Sequence, residues 1–289
     1  MPQAAGGSAK LSGRQTRREV TVSAELVATV VGDLAIEETG NPAGSWVLLW
    51  PSLWSTRQVF GEQVAALGAT YRLLLLDPPG HGDSGRPPKR FSLEDLARAT
   101  FQVLDHFDVD RTAIVGGAWG GMVGVQMAAL EPTRISSLVT INSPLDAWRG
   151  FQRLEMWSLL PLIKVGGPPA AAPFLIGSML SKTTRKTRPD LVRPMRRDIR
   201  ACDRTSLFRA ARAAMIDRPS LLPLLPTLSL PVLVITGSED FVPVERARAE
   251  ADMIPGSQFA VIDDVAHLSA YEAPERVNAL LIPFLAANA

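Results

Sequence analysis

The chain has 289 residues, 46% of them hydrophobic and 20% charged, with a formal net charge of +1. That composition suits a soluble globular protein with a large core, and the near-zero balance gives no bulk attraction to nucleic acid or to a membrane surface. The single cysteine, Cys202, excludes an internal disulfide; a cytoplasmic location fits, as does a secreted bacterial protein without disulfides.

Residues 1–18 are small, polar and basic, lack the apolar centre of a signal peptide, and read as a disordered leader. No apolar run approaches the roughly 20 residues of a membrane span. Glu19 to Val31 is rich in Val and Thr and predicts a strand; Gly32-Asp33 is a turn, and Leu34 to Glu38 predicts the second arm of a hairpin. Trp46 to Trp50 and Tyr71 to Leu76 are short apolar runs, the pattern of strands buried on both faces. Arg57 to Leu67 has helical periodicity. Ser92 to Phe107 predicts a helix with Ser92 as N-cap and Asp95 three residues on. Thr112 to Val115 and Ile135 to Ile141 predict further strands. After Asn142 the alternation stops. Residues 143–228 are rich in Pro, Leu and Arg, with helical blocks at Leu191 to Asp203 and Ser206 to Ile216 and no convincing strand. Alternation resumes with a strand at Val232 to Thr236, a helix at Val244 to Asp252, a strand at Gln258 to Ile262 and a helix at Pro274 to Leu285. The expected fold class is α/β, a mostly parallel sheet flanked by helices with an antiparallel start. The expected core is 19–142 with 229–289, and 143–228 is an inserted helical cap.

One stretch organises the rest: Ile114-Val115-Gly116-Gly117-Ala118-Trp119-Gly120-Gly121. A β-branched run turns through glycines directly into a helix-forming segment. Gly116 and Gly120 flank Ala118, and small flanking residues are what a strained strand-to-helix elbow needs. Here the chain resembles the α/β-hydrolase family, whose elbow reads G-x-S-x-G; this chain has G-x-A-x-G. The resemblance covers roughly Val20 to Ile141 and Val232 to the C-terminus. It implies a nucleophile position at Ala118, a triad acid at Asp240 in Gly237-Ser238-Glu239-Asp240, and a base at His267. Asp146 is the alternative acid. It also implies an oxyanion hole from the main-chain amides of Trp119 and Leu53. Pro51-Ser52-Leu53 departs from the family's common His-Gly and resembles the Ser-Leu pair of 3-oxoadipate enol-lactonases. Asp77-x-x-Gly80-His81-Gly82-x-Ser84 is a turn motif widespread in the family and names no substrate.

Alanine has no group that can attack a carbonyl, so covalent catalysis from position 118 is impossible in this chain. The leading expectation is an ester or lactone hydrolase inactivated by a Ser-to-Ala change. Alternatives are a natural pseudoenzyme that binds a small molecule, a cofactor-free lyase or oxygenase using His267 as base, and a haloalkane dehalogenase-like enzyme whose Asp has been replaced. None requires a metal or an organic cofactor. Trp54, Trp148 and Trp157 are expected to line a pocket for a largely apolar substrate. The basic cluster from Lys182 to Arg200 reads either as a solvated face or as a carboxylate-binding surface. Neither nucleic acid nor a membrane is expected as a partner.

Overall fold

The computed structural model describes residues 24–289, so the expected leader and the start of the first expected strand lie outside the described residues. Eight strands form one sheet: β1 (Glu25–Val27), β2 (Leu34–Gly40), β3 (Trp46–Trp50), β4 (Arg72–Leu76), β5 (Thr112–Gly117), β6 (Ile135–Ile141), β7 (Val232–Gly237) and β8 (Gln258–Ile262). Their order is β1-β2-β4-β3-β5-β6-β7-β8. β1 and β2 are antiparallel, as are β2 and β4; every later pairing is parallel. The first strand is shorter than expected. Thr29 turns the chain early, its hydroxyl donating to the Gly32 carbonyl at 2.5 Å.

The apolar runs are continuous because both faces of the sheet are covered. Along β3 the side chains alternate, Leu48 and Trp50 into one core and Val47 and Leu49 into the other. Burying each such aliphatic side chain contributes roughly 1.5–3 kcal/mol. Helix α1 (Gly61–Leu67), which continues a 3₁₀ turn at Arg57–Phe60, packs on one face with the C-terminal helix. On the other face lie α2 (Leu93–His106) and α3 (Trp119–Leu130). α2 begins where expected: the Asp95 N–H donates to Ser92 Oγ at 3.0 Å and the Ser92 N–H donates to Asp95 Oδ2 at 2.8 Å. Such a reciprocal cap is worth about 1 kcal/mol.

Between β6 and β7 the described residues form helices and turns only. These are α4 (Gly150–Pro161), α5 (Gly167–Met179), α6 (Lys182–Thr187), α7 (Pro189–Ala201) and α8 (Arg204–Ala211), with π turns at Leu162–Gly166 and Arg212–Ile216. After β7 come α9 (Val244–Asp252), the short α10 (Ser269–Glu272) and α11 (Pro274–Asn288). One expectation needs correction. Trp157–Met179 is 23 residues long and contains an 18-residue window of mean hydropathy 1.4, which is long and apolar enough to cross a membrane by length and composition alone. Lys164 and the Gly and Pro residues hide it from a search for unbroken apolar runs. Half of that window is buried inside the protein.

Candidate active site

Ala118 sits at the tip of the β5–α3 turn with φ 44° and ψ −97°. A side-chain-bearing residue held there costs on the order of 1–3 kcal/mol, so its surroundings must over-determine it. The Ala118 N–H donates to the Ile141 carbonyl at 2.7 Å, and the Met122 N–H donates to the Ala118 carbonyl at 3.2 Å. The flanking glycines are steric requirements. A Cβ on Gly116 would lie 2.3 Å from the Gly121 nitrogen, and one on Gly120 would lie 2.1 Å from the Trp50 carbonyl oxygen.

The loop after β7 presents Asp240, and the loop after β8 presents His267. His267 Nδ1 lies 2.9 Å from Asp240 Oδ1, with both side chains almost wholly buried. A carboxylate only accepts, so Nδ1 carries the proton and Nε2 is left as the basic nitrogen. Two more donors fix the carboxylate: Asn142 Nδ2 reaches Asp240 Oδ2 at 2.7 Å, and the Val242 N–H reaches Oδ1 at 3.3 Å. Asn142 also donates to the Ala266 carbonyl at 3.3 Å, tying the acid loop to the histidine loop. The alternative acid, Asp146, instead accepts from the Ala147 N–H and pairs with Arg149 at 3.5 Å. Phe241, next to the acid in sequence, lays its ring over His267 with centroids 4.3 Å apart.

The loop after β3 carries Leu53. Trp54 has φ 68°, and its N–H donates to His81 Nε2 at 3.3 Å. His81 Nδ1 in turn donates to the Pro79 carbonyl at 3.0 Å. Complete burial pushes the His81 pKa down to about 4, so the imidazole is neutral and its Nε2 is a dedicated acceptor. The loop's far end is held by the Arg57 N–H, which donates to Asp77 Oδ1 at 2.8 Å. The Asp77-to-Ser84 motif therefore anchors the Leu53 loop. Among the described residues, neither the Leu53 nor the Trp119 main-chain N–H has an acceptor. That of Trp119 is the first in α3, where no intrahelical partner exists and the helix dipole is positive.

Ala118, His267, Leu53 and Trp119 all line one cavity of about 180 Å³. Trp54 and Trp148 line it too. Trp157 does not. It lies on the outer side of α4, 41% exposed, with the Arg212 guanidinium 5.6 Å from its ring, while the next turn sends Leu159 inward. Among the described residues no Lys, Arg, Asp or Glu lines the cavity, so the Lys182-to-Arg200 cluster does not face it. Asn142, Phe241 and the supporting part played by His81 were not expected. A polar residue immediately after a buried parallel strand was the available signal for Asn142.

A mostly parallel sheet with a strained elbow, an Asp–His pair and a helical insertion at the elbow's edge defines the hydrolase class of α/β proteins. The sequence model for the alpha/beta hydrolase fold matches residues 39–274, and the chain belongs to that family. It is 27% identical over 251 residues to the putative carbamate hydrolase RutD of Yersinia enterocolitica, covering 85% of this chain and 88% of that one. It is 23% identical over 234 residues to 3-oxoadipate enol-lactonase 2 of Acinetobacter baylyi, covering 78% and 83%. A solved thermophilic esterase from Thermogutta terrifontis superposes with a TM-score of 0.83 at 27% identity, covering 91% of this chain and 98% of that one. Other curated relatives are matched over only 26–58% of their own length.

Proposed function

We propose that this chain is the framework of a carboxylic ester or lactone hydrolase, with alanine at position 118 where the active form carries serine. One observation carries the reading: a strained elbow residue shares a cavity with an imidazole whose Nδ1 is 2.9 Å from a buried carboxylate. A non-glycine residue at φ 44°, flanked by glycines that leave no room for a Cβ, supports the reading, since backbone strain of this kind concentrates at functional sites.

In the active form the hydroxyl at 118 attacks the substrate carbonyl and gives its proton to His267 Nε2. Asp240 holds the imidazole in register and stabilises the imidazolium. The Leu53 and Trp119 amides bind the oxyanion. The intermediate collapses, the leaving alkoxide takes the proton from His267, and the acyl group stays on the 118 oxygen. Water then attacks, passing its proton to His267, and the acid is released as the hydroxyl reforms. The insertion from 143 to 228 serves as the lid and sets selectivity, since Trp148, Leu159, Phe174 and Met179 supply the cavity's apolar wall. That wall suits an uncharged acyl group. The names of the relatives, a carbamate hydrolase, an enol-lactonase and an esterase, all describe cleavage at a carbonyl.

The test is Ala118→Ser assayed on a broad panel of chromogenic esters and lactones. Turnover should rise by about 10³-fold or more over the parent chain. No gain across the panel, with tight ligand binding by the parent, would establish a binding protein instead. Activity with Ala118 in place, abolished by His267→Ala, would establish proton abstraction. Gain with Ala118→Asp on haloalkanes alone would establish a dehalogenase ancestry.

A further inference from the structure

The net charge of +1 conceals a strong asymmetry. Residues 149–218 hold 15 of the 30 Lys and Arg but 5 of the 29 Asp and Glu, a balance of +10 against −9 for the rest of the chain. The same segment is unusual in its apolar surface. Ten large hydrophobic side chains are exposed among the described residues, and five of them fall between Leu154 and Phe174, which makes the insertion the apolar as well as the basic end of the molecule. Leu154, Trp157, Leu162 and Val165 recur at helical spacing and form one outward stripe, with Leu154 64% and Val165 78% exposed.

Cations are set among these side chains. The Arg204 guanidinium donates to the Lys164 carbonyl at 3.5 Å, and Arg212 lies over the Trp157 ring. Arg153, Lys164 and Arg204 are exposed and form no ion pair with a described carboxylate. Exposed aliphatic and indole side chains mixed with exposed cations match the boundary layer of an anionic bilayer, where apolar tips enter and ammonium or guanidinium heads meet phosphates. We propose that this face of the insertion docks onto an anionic lipid surface.

The segment lies on the bilayer and does not span it. Gly167, with φ 71°, breaks the helical path in the middle of the apolar stretch. The opposite side is committed to the protein, since Leu159, Ile163, Leu175 and Ile176 are buried. A spanning helix needs about 20 residues free to face lipid. Phe174 joins the two surfaces: it is half-exposed on the outside and also lines the catalytic cavity. An amphiphile held in the docked bilayer is thus presented at the cavity's own wall.

The test uses the full chain and needs no turnover, so it succeeds or fails independently of the reading of Ala118. Sedimentation is measured with phosphatidylcholine vesicles carrying about one third phosphatidylglycerol, and with pure phosphatidylcholine. Binding to the anionic vesicles should be at least about tenfold tighter and should weaken as salt rises. Lys164→Glu with Arg204→Glu should cut it by at least about tenfold. Leu154→Ser with Val165→Ser should cut it comparably, with unchanged thermal unfolding, because all four side chains are exposed. Absence of partition by the folded chain would overturn the proposal. So would partition that neither pair of changes reduces. Binding to soluble polyglutamate as tight as to vesicles, and indifferent to the serine pair, would point to an acidic protein and also overturn it.

Discussion

His81 gives the most quantitative expectation. It is fully buried and neutral, it accepts the Trp54 N–H, and burial holds its pKa at about 4 against an ordinary 6.5. The folded pKa lies below the unfolded one, so the unfolded chain takes up its proton first as the pH falls. The stability associated with this group is intact above pH 6.5 and drains away as the pH drops toward 4. The full loss is about 3 kcal/mol, and about 2 kcal/mol of it has gone by roughly pH 5. Protonation also removes the acceptor that holds Trp54 at φ 68°, so the Leu53 loop should loosen in the same window. The assay is urea unfolding of the parent and His81→Gln at about pH 7 and pH 5, each compared with itself. Glutamine lowers stability at both pH values but does not titrate. The parent should therefore lose about 2 kcal/mol more than the variant on acidification. Equal losses would refute the buried neutral imidazole.

The elbow glycines make opposite predictions. Gly120→Ala drives a methyl to 2.1 Å from the Trp50 carbonyl, where neither strand nor helix can yield, and should cost more than about 3 kcal/mol or prevent folding. Gly117→Ala meets nothing closer than 3.6 Å and should change the unfolding free energy by less than about 1 kcal/mol. Thermal and urea unfolding of the two variants checks both. Asn142→Ala removes the 2.7 Å donor to Asp240 Oδ2 and the tie to Ala266. In the Ala118→Ser background it should lower kcat by about tenfold with little change in KM, and a change confined to KM would contradict the positioning role.

Much of this arrangement was legible before the structure. The strand positions followed from apolar runs covered on both faces, and the α2 boundary followed from the chemistry of Ser92 and Asp95, both local properties. The elbow was legible because steric crowding leaves glycine as the only solution at Gly116 and Gly120. Family resemblance is what singles out Asp240 and His267; nothing in their spacing alone sets Asp240 above Asp146. What escaped depends on packing between distant segments. Trp157 was assigned to the pocket because composition cannot tell which side of α4 faces the core. Asn142 is not singled out by the sequence because an asparagine after a strand also fits an ordinary turn. Phe241 needed the loop's path before its ring could be set against His267. Bulk charge and unbroken apolar runs are averages over the chain, and they do not register the local concentration of Lys, Arg and exposed apolar side chains between residues 149 and 218.

The central claim is that position 118 is the attacking position of an acyl-transfer centre driven by His267. Intact-mass measurement after incubation with a phosphonylating agent such as an alkyl fluorophosphonate, which loses fluoride as the attacking oxygen bonds to phosphorus, tests it most directly. Ala118→Ser should gain one adduct per chain, mapped to position 118, while the parent and Ala118→Ser combined with His267→Ala should gain none on the same timescale. An unmodified Ala118→Ser chain, or labelling indifferent to His267, would contradict it.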